Sequence, residues 1–163
     1  MSGKKEQIYI SITGLRELKF IYKDPGQYFP GFAPKDNKIE VEIQMKYAWN
    51  LEDGQFGVFT AYLFKYSKDE ESVTVLEYLC ATDFHVKELK KYVTQDGEKG
   101  FSINKDLEKS LARMAVAHGR GMLFQKTSLT ALKGVVFPLI DLNAILVSNF
   151  PDKLNKTKSH WED

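Results

Sequence analysis

The sequence predicts an α+β fold, a four-stranded antiparallel sheet with two main C-terminal helices on one face. Three observations point there. Apolar residues alternate with polar ones through the first half of the chain, the period of a strand with one buried and one wet side. After Gly97 and Gly100 the apolar spacing lengthens to about 3.6, that of an amphipathic helix. The links between successive strands are short and polar, which joins neighbours antiparallel, and strands followed by helices make an α+β layout.

Taken in order, Ile8, Ile10 and Ile12 alternate with polar or amphipathic partners, and Leu18, Phe20 and Tyr22 resume that parity after Gly14. A long first strand with a bulge near Gly14 is expected. Asp24 to Pro34 reads as a loop, because three prolines and two glycines interrupt it, yet it carries the rings of Tyr28, Phe29 and Phe32. The second strand has the clearest pattern: Ile39, Val41, Ile43, Met45, Tyr47 and Trp49 alternate with Glu40, Glu42, Gln44 and Lys46. A turn at Glu52-Asp-Gly54 leads to a third strand, 55–67, and the polar link Ser67 to Ser72 leads to a fourth, 72–88. Both are less cleanly alternating, with Phe59, Ala61 and Leu63 opposite Val58, Tyr62 and Phe64, so a sheet apolar on both faces is expected to need cover from a second body.

Asn104 is a suitable N-cap, and Asp106 and Glu108 suit the positive end of a helix dipole. Leu107, Leu111, Met114 and Ala115 form one stripe, which Gly119 and Gly121 are expected to interrupt. A second helix, 122–133, carries Phe124, Ser128, Ala131 and Leu132 in line and stops at Gly134. An extended exit to Pro138 follows, then a short last helix capped by Asp141 with Leu142, Ile145 and Leu146. Residues 1–150 are expected to form one domain and 151–163 a polar, flexible tail.

Chemistry is sparse. His85, His118 and His160 match no zinc spacing, and Cys80 is the only cysteine, so neither a metal site nor an internal disulfide is expected. Gly119-Arg-Gly121 does not follow a strand into a helix, as a phosphate loop would, and no Gly-x-Ser-x-Gly elbow occurs. His118 reads as a helix-terminal histidine and Cys80 as a small buried hydrophobe. No cofactor and no enzymatic activity are expected. Lys+Arg 23 against Asp+Glu 22 leaves no cationic field for nucleic acid. The polar start and the lack of a run of ~20 apolar residues predict a soluble, cytoplasmic protein without membrane insertion. The strongest bias is aromatic: 13% of the chain is Phe, Tyr or Trp, more rings than a core alone would call for. The rings at 28–32 either cap the domain's own core or form the lip of an apolar groove for extended peptides.

Several pieces occur in an order similar to that of the SecB family of export chaperones. Leu18-Lys-Phe-Ile-Tyr-Lys-Asp24 resembles its first strand, 25–34 its crossover loop, and Leu79-Cys80 its fourth strand. Leu111-Ala112, Leu123-Phe124, Phe137-Pro138 and the run from Ile140 to Leu146 then follow in family order, so the resemblance covers roughly 15–150. It implies an ATP-independent holdase that binds unfolded or nascent polypeptides, with edge-strand pairing into dimers and a dimer of dimers as the homotetramer. Carried over, the groove residues are Tyr28, Phe29, Phe32, Leu123 and Phe124, and Asp24 matches a position that docks the Sec motor ATPase. The pattern also departs from the family: Gln125 stands where proline follows Leu-Phe, and Ala81 or Thr82 where the fourth strand offers a glutamate. SecB-like chaperones also serve toxin–antitoxin systems, so an antitoxin is the other partner implied. Two other functions fit an α+β chain: a hot-dog-like thioesterase using His118 with Asp141, and an adaptor that binds one folded partner.

Overall fold

The computed structural model describes residues 7–33, 39–95 and 100–135. Strands β1 (Ile10–Tyr22), β2 (Ile39–Asn50), β3 (Gln55–Lys68) and β4 (Glu71–Val86) form one antiparallel sheet in the order β1-β4-β3-β2. A single helical turn, α1 (Pro25–Tyr28), follows β1. After β4 come a 3-10 turn, Leu89–Lys91, and a small hairpin of β5 (Val93–Gln95) and β6 (Phe101–Ile103) that the sequence pattern did not reveal. The long helix α2 (Lys105–Thr127) then packs across the two central strands.

Alternation dictates the inner face of the sheet. On β3 the even-numbered residues from Phe56 to Tyr66 are all buried, and those from Phe56 to Phe64 pair in register with Phe84, Thr82, Cys80, Tyr78 and Leu76 of β4. The register of β1 slips twice, between Ile12 and Gly14 and between Glu17 and Lys19. One of these is the bulge expected near Gly14. Each adds an unpaired residue and changes which side chains of this edge strand face the helix.

α2 is one continuous helix of 23 residues, where the two glycines led the sequence to predict two main helices. Asn104 caps it as expected, its side chain accepting from the backbone amides of Asp106 at 3.0 Å and Leu107 at 3.1 Å. Gly119 is not a break but a point of close approach. The Tyr62 hydroxyl donates to the carbonyl oxygen of Val116 at 3.1 Å. A Cβ at 119 would overlap that hydroxyl and lie 2.8 Å from the ring. Beyond Thr127 the chain continues as turns rather than as a second helix. Thr130, Lys133 and Val135 donate their amides to carbonyls three residues back, Gly134 has φ +87°, and the Ala131 amide donates to the Tyr22 hydroxyl at 3.1 Å. Leu132 is thereby buried while Leu129 points outward. The expected extended exit, last helix and tail lie outside the described residues.

Two apolar clusters lie between α2 and the sheet. One joins Met45, Phe56, Val58, Phe84 and Val86 to Leu107, Leu111 and Ala115. The other joins Tyr62, Phe64, Tyr66, Leu76 and Tyr78 to Leu123, Leu132 and Phe29. The opposite face does not carry the open apolar surface expected of it. Its centre is small (Ala61 and Ala81, with Leu79), and these residues are buried. Charged arms in the same rows supply much of the cover, paired as Arg16–Asp83 at 2.7 Å, Lys19–Glu77 at 2.9 Å and Lys65–Glu42 at 2.7 Å, with the Arg16 guanidinium 5.9 Å from the Phe59 ring centre. Long side chains lay their stems over apolar neighbours and keep their charges wet.

One polar group sits inside the first cluster's border. Glu108 is 5% exposed, its Oε1 has no hydrogen-bond partner, and its nearest polar neighbours are the Tyr47 hydroxyl and, more remotely, Lys105. Burial raises the Glu108 carboxyl above its ordinary value, against smaller opposing effects of Tyr47 and Lys105. A raised folded value means that the neutral acid is preferred in the fold. Its stabilising contribution is full below the unfolded value and is lost as pH rises through the folded one. Glu108→Gln should therefore flatten the stability profile as pH rises above the ordinary carboxyl range and add stability at neutral pH, as read by urea denaturation. Gly119→Ala tests the helix contact. Despite alanine's better helix propensity, it is expected to lose about 1–3 kcal/mol in the same measurement, because Tyr62 must move.

Candidate functional site

The segment after β1 turns sharply for local reasons. Asp24 caps α1, its carboxylate accepting from the Gly26 amide at 2.9 Å, and Pro25 occupies the first helical position, where its missing N–H is no loss. The Phe29 amide donates to the Pro25 carbonyl at 2.8 Å, and the Phe32 amide to the Phe29 carbonyl at 3.1 Å. These two closures point both phenylalanines back at the sheet. Phe29 is 4% exposed and meets the Tyr66 ring edge-on at 4.5 Å, and Phe32, half-buried, meets the same ring at 5.0 Å. Tyr28 points the other way and is 48% exposed. It borders a shallow depression of about 700 Å³ shared with Phe29, Pro30 and the β3–β4 turn residues Lys68, Asp69, Glu70 and Glu71.

Leu123 and Phe124 are neighbours in sequence and opposites in space, since successive helical residues are about 100° apart. Leu123 is fully buried in the second cluster, and Phe124 is 66% exposed. The last turn of α2 is tied to the edge strand: Lys126 bonds Glu17 at 3.0 Å and lies 5.5 Å from the Phe20 ring centre. Of the residues expected to line a groove, Tyr28 and Phe124 are open to a partner, Phe32 is partly so, and Phe29 and Leu123 are core. Asp24 is exposed, with its carboxylate engaged as a cap.

The sequence reading missed how exposed the apolar residues of β1 are. Ile12, Leu15, Leu18 and Ile21 are all exposed, with Tyr9 just before them. They do not share one face: Ile12 and Leu15 pair with Phe84 and Thr82 in the rows that face α2, Leu18 is the extra residue of the second bulge, and Ile21 pairs with Glu77 on the opposite face. Among the described residues β1 is an edge of the sheet, and an edge strand is the usual template for another strand.

Reactive groups are few. Cys80 is buried, its thiol pushed up to about 12 by burial first and by Glu17 second, and Sγ lies 3.8 Å from the Thr60 carbonyl oxygen. It stays a protonated thiol at neutral pH, inaccessible to substrate. The Nδ1 of His118 is buried without a hydrogen-bond partner, and Asp141 lies outside the described residues. Among the described residues no group of His, Cys, Asp and Glu could hold a metal ion, and no helix is long and apolar enough to cross a membrane.

No protein-family model matches the chain, and no curated protein matches it. Among solved structures it is similar to a Mycobacterium tuberculosis SecB-like chaperone in complex with a ChAD peptide from the HigA1 antitoxin. The TM-score is 0.50 and the identity 14%, over 80% of this chain and 90% of that one. It also overlaps a Streptococcus agalactiae protein of unknown function, with TM-score 0.42 and 11% identity over 83% of this chain and 100% of that one. The four-stranded antiparallel sheet with its C-terminal helix is thus a distant SecB-like fold.

Proposed function

We propose that this protein is an ATP-independent chaperone that holds unfolded or nascent polypeptides against an aromatic surface, in a toxin–antitoxin setting. The observation that carries this reading is the SecB-like architecture, shared with a chaperone whose solved structure holds an antitoxin peptide. Two exposed rings, Tyr28 and Phe124, then supply the grip, each standing next to a core residue that anchors its backbone: Phe29 for one, Leu123 for the other. A protein export role has less support, because the fourth strand has Ala81 or Thr82 where an acid would meet the Sec motor ATPase, and Asp24 is spent on its own helix.

The mechanism needs no nucleotide. Covering client side chains yields ~25 cal/mol per Å² of apolar area, and backbone pairing adds affinity that tolerates any sequence. Binding the unfolded client delays its folding by mass action. Cytoplasmic residence and assembly into a homotetramer complete the proposal, with β1 as the pairing edge. Its exposed Ile12, Leu15, Leu18 and Ile21 give this edge apolar side chains for a second copy to cover, and several sites on one particle add avidity.

Two experiments bear on this. The double variant Tyr28→Ala, Phe124→Ala should bind a denatured client about tenfold more weakly and suppress its aggregation less, with secondary structure and oligomeric mass unchanged. Undiminished suppression would remove both rings from the site. Phe29 is unsuitable for this purpose, since its loss would open the core. Separately, Leu15→Lys with Leu18→Lys should lower the mass measured by light scattering while leaving the circular dichroism intact. An unchanged mass would acquit β1 of any role in assembly.

A further inference from the structure

A buried acid sits where the first turns of α2 meet β2. Glu108 is 5% exposed and turned toward the sheet, away from the outward side of the helix. Neither its Oε1 nor the hydroxyl of Tyr47, on the inner face of β2, has a hydrogen-bond partner among the described residues. Tyr47 is the polar group that faces it from the sheet, and Lys105 of its own helix acts on it as well. Its neighbours in the first cluster from β3, β4 and β6, namely Phe56, Val58, Phe84 and Ile103, are apolar. The cover beside it is aromatic and incomplete. Trp49 stacks on Phe56 at 5.8 Å and meets Phe101 of β6 edge-on at 5.6 Å, while Phe101 stays 37% exposed. The helix start is tied to the preceding turn, the Asn104 amide donating to the Tyr92 carbonyl at 2.7 Å. The close contact at Gly119 holds the helix ~16 Å further along, at a rise of ~1.5 Å per residue.

We propose that Glu108 is a pH-sensitive latch: protonated, it keeps the first turns of α2 closed on β2, and ionised, it loosens them and uncovers Tyr47, Trp49 and Phe101 to a client. The inference rests on the chaperone reading for its output and adds regulation to it. A neutral acid tolerates one unmet acceptor, whereas a carboxylate in the same place has neither water nor a cation in contact, and an unpaired buried charge is far more costly. The least disruptive response is local. The helix start moves off β2 far enough for water to reach the carboxylate, while the Tyr62–Gly119 contact keeps the rest of α2 seated. Burial raises the Glu108 carboxyl above its ordinary value, so the closed state is favoured below that raised value and lost as pH rises through it. Tyr47 does not compete as the titrating group, because burial first and Glu108 second hold its hydroxyl far above its ordinary value. The latch uses neither the β1 edge nor the outward side of α2, the surfaces on which copies of the chain would pack in a dimer of dimers.

Trp49 serves as the reporter. In a Trp161→Phe background it is the chain's only tryptophan, and it stands against the element that moves. Its emission is followed as pH is raised from the ordinary carboxyl range for as long as circular dichroism stays unchanged, with mass read by light scattering at each step. Binding of a labelled, tryptophan-free, permanently unfolded peptide with no group that titrates in this range is read by fluorescence anisotropy. The emission should shift to the red, and the peptide should bind about tenfold tighter at the upper end of the range than at the lower. Glu108→Gln should abolish both changes and hold the low-pH values, since an uncharged amide leaves the latch closed. Tyr47→Phe should move the transition to higher pH, because the lost hydroxyl favours the carboxylate. Emission that stays flat, or that shifts alike in Glu108→Gln, would overturn the latch. So would a shift that follows a falling mass, which would assign it to dissociation of copies. A shift at Trp49 with unchanged peptide affinity would overturn the gating. Absence of peptide binding at every pH, in both proteins, would remove the chaperone reading and the gating with it.

Discussion

Tyr62 and Gly119 meet where α2 crosses the middle of the sheet, and the position of the helix follows from that contact. The tyrosine is fully buried, its hydroxyl needs an acceptor, and a helical carbonyl supplies one only if the helix comes close enough. The missing side chain at Gly119 permits that approach. Once the helix is seated there, its first half closes over Phe56, Val58 and Phe84 and its second over Tyr62, Tyr78 and Leu76. One point of close packing therefore links two apolar clusters that would otherwise be separate satellites of a long, narrow sheet.

The same seating sorts the outer surface. With Leu107, Leu111, Ala115 and Leu123 turned to the sheet, the helical period forces Lys105, Lys109, Arg113 and Phe124 outward. The opposite face of the sheet is closed by small residues beneath ion-paired arms and offers little apolar surface. Among the described residues the exposed large apolar side chains accordingly include Ile12, Leu15, Leu18 and Ile21 along β1 and Phe124 on α2. That β3 and β4 carry apolar residues on both faces is consistent with this division, because they occupy the centre, where neighbouring strands and side chains cover both faces.

Local chemistry was legible. β2 reads directly from its alternation, the bulge near Gly14 from the interruption of the alternation there, and the start of α2 from Asn104, because each depends on residues a few positions apart. Short-range logic misled at Gly119 and Gly121, where glycine's low helix propensity suggested a break; α2 runs through both, and at Gly119 packing against Tyr62 overrides that propensity. The β5–β6 hairpin, with only three residues per strand, is too short to leave a periodic trace.

The candidate site divides along the same line. The sequence by itself determined that rings are concentrated at 28–32 and 124, that strands precede a helix, and that its three histidines and one cysteine follow no zinc-ligand spacing. Only the tertiary structure decided which rings face outward. Tyr28 and Phe29 are adjacent in the chain, yet one is half-exposed and the other buried against Tyr66, a residue 37 positions from Phe29. The edge position of β1, and with it the exposure of Ile12, Leu15, Leu18 and Ile21, likewise depends on strand order. Periodicity records which side chains share a face, but burial is set by what arrives over that face from distant parts of the chain.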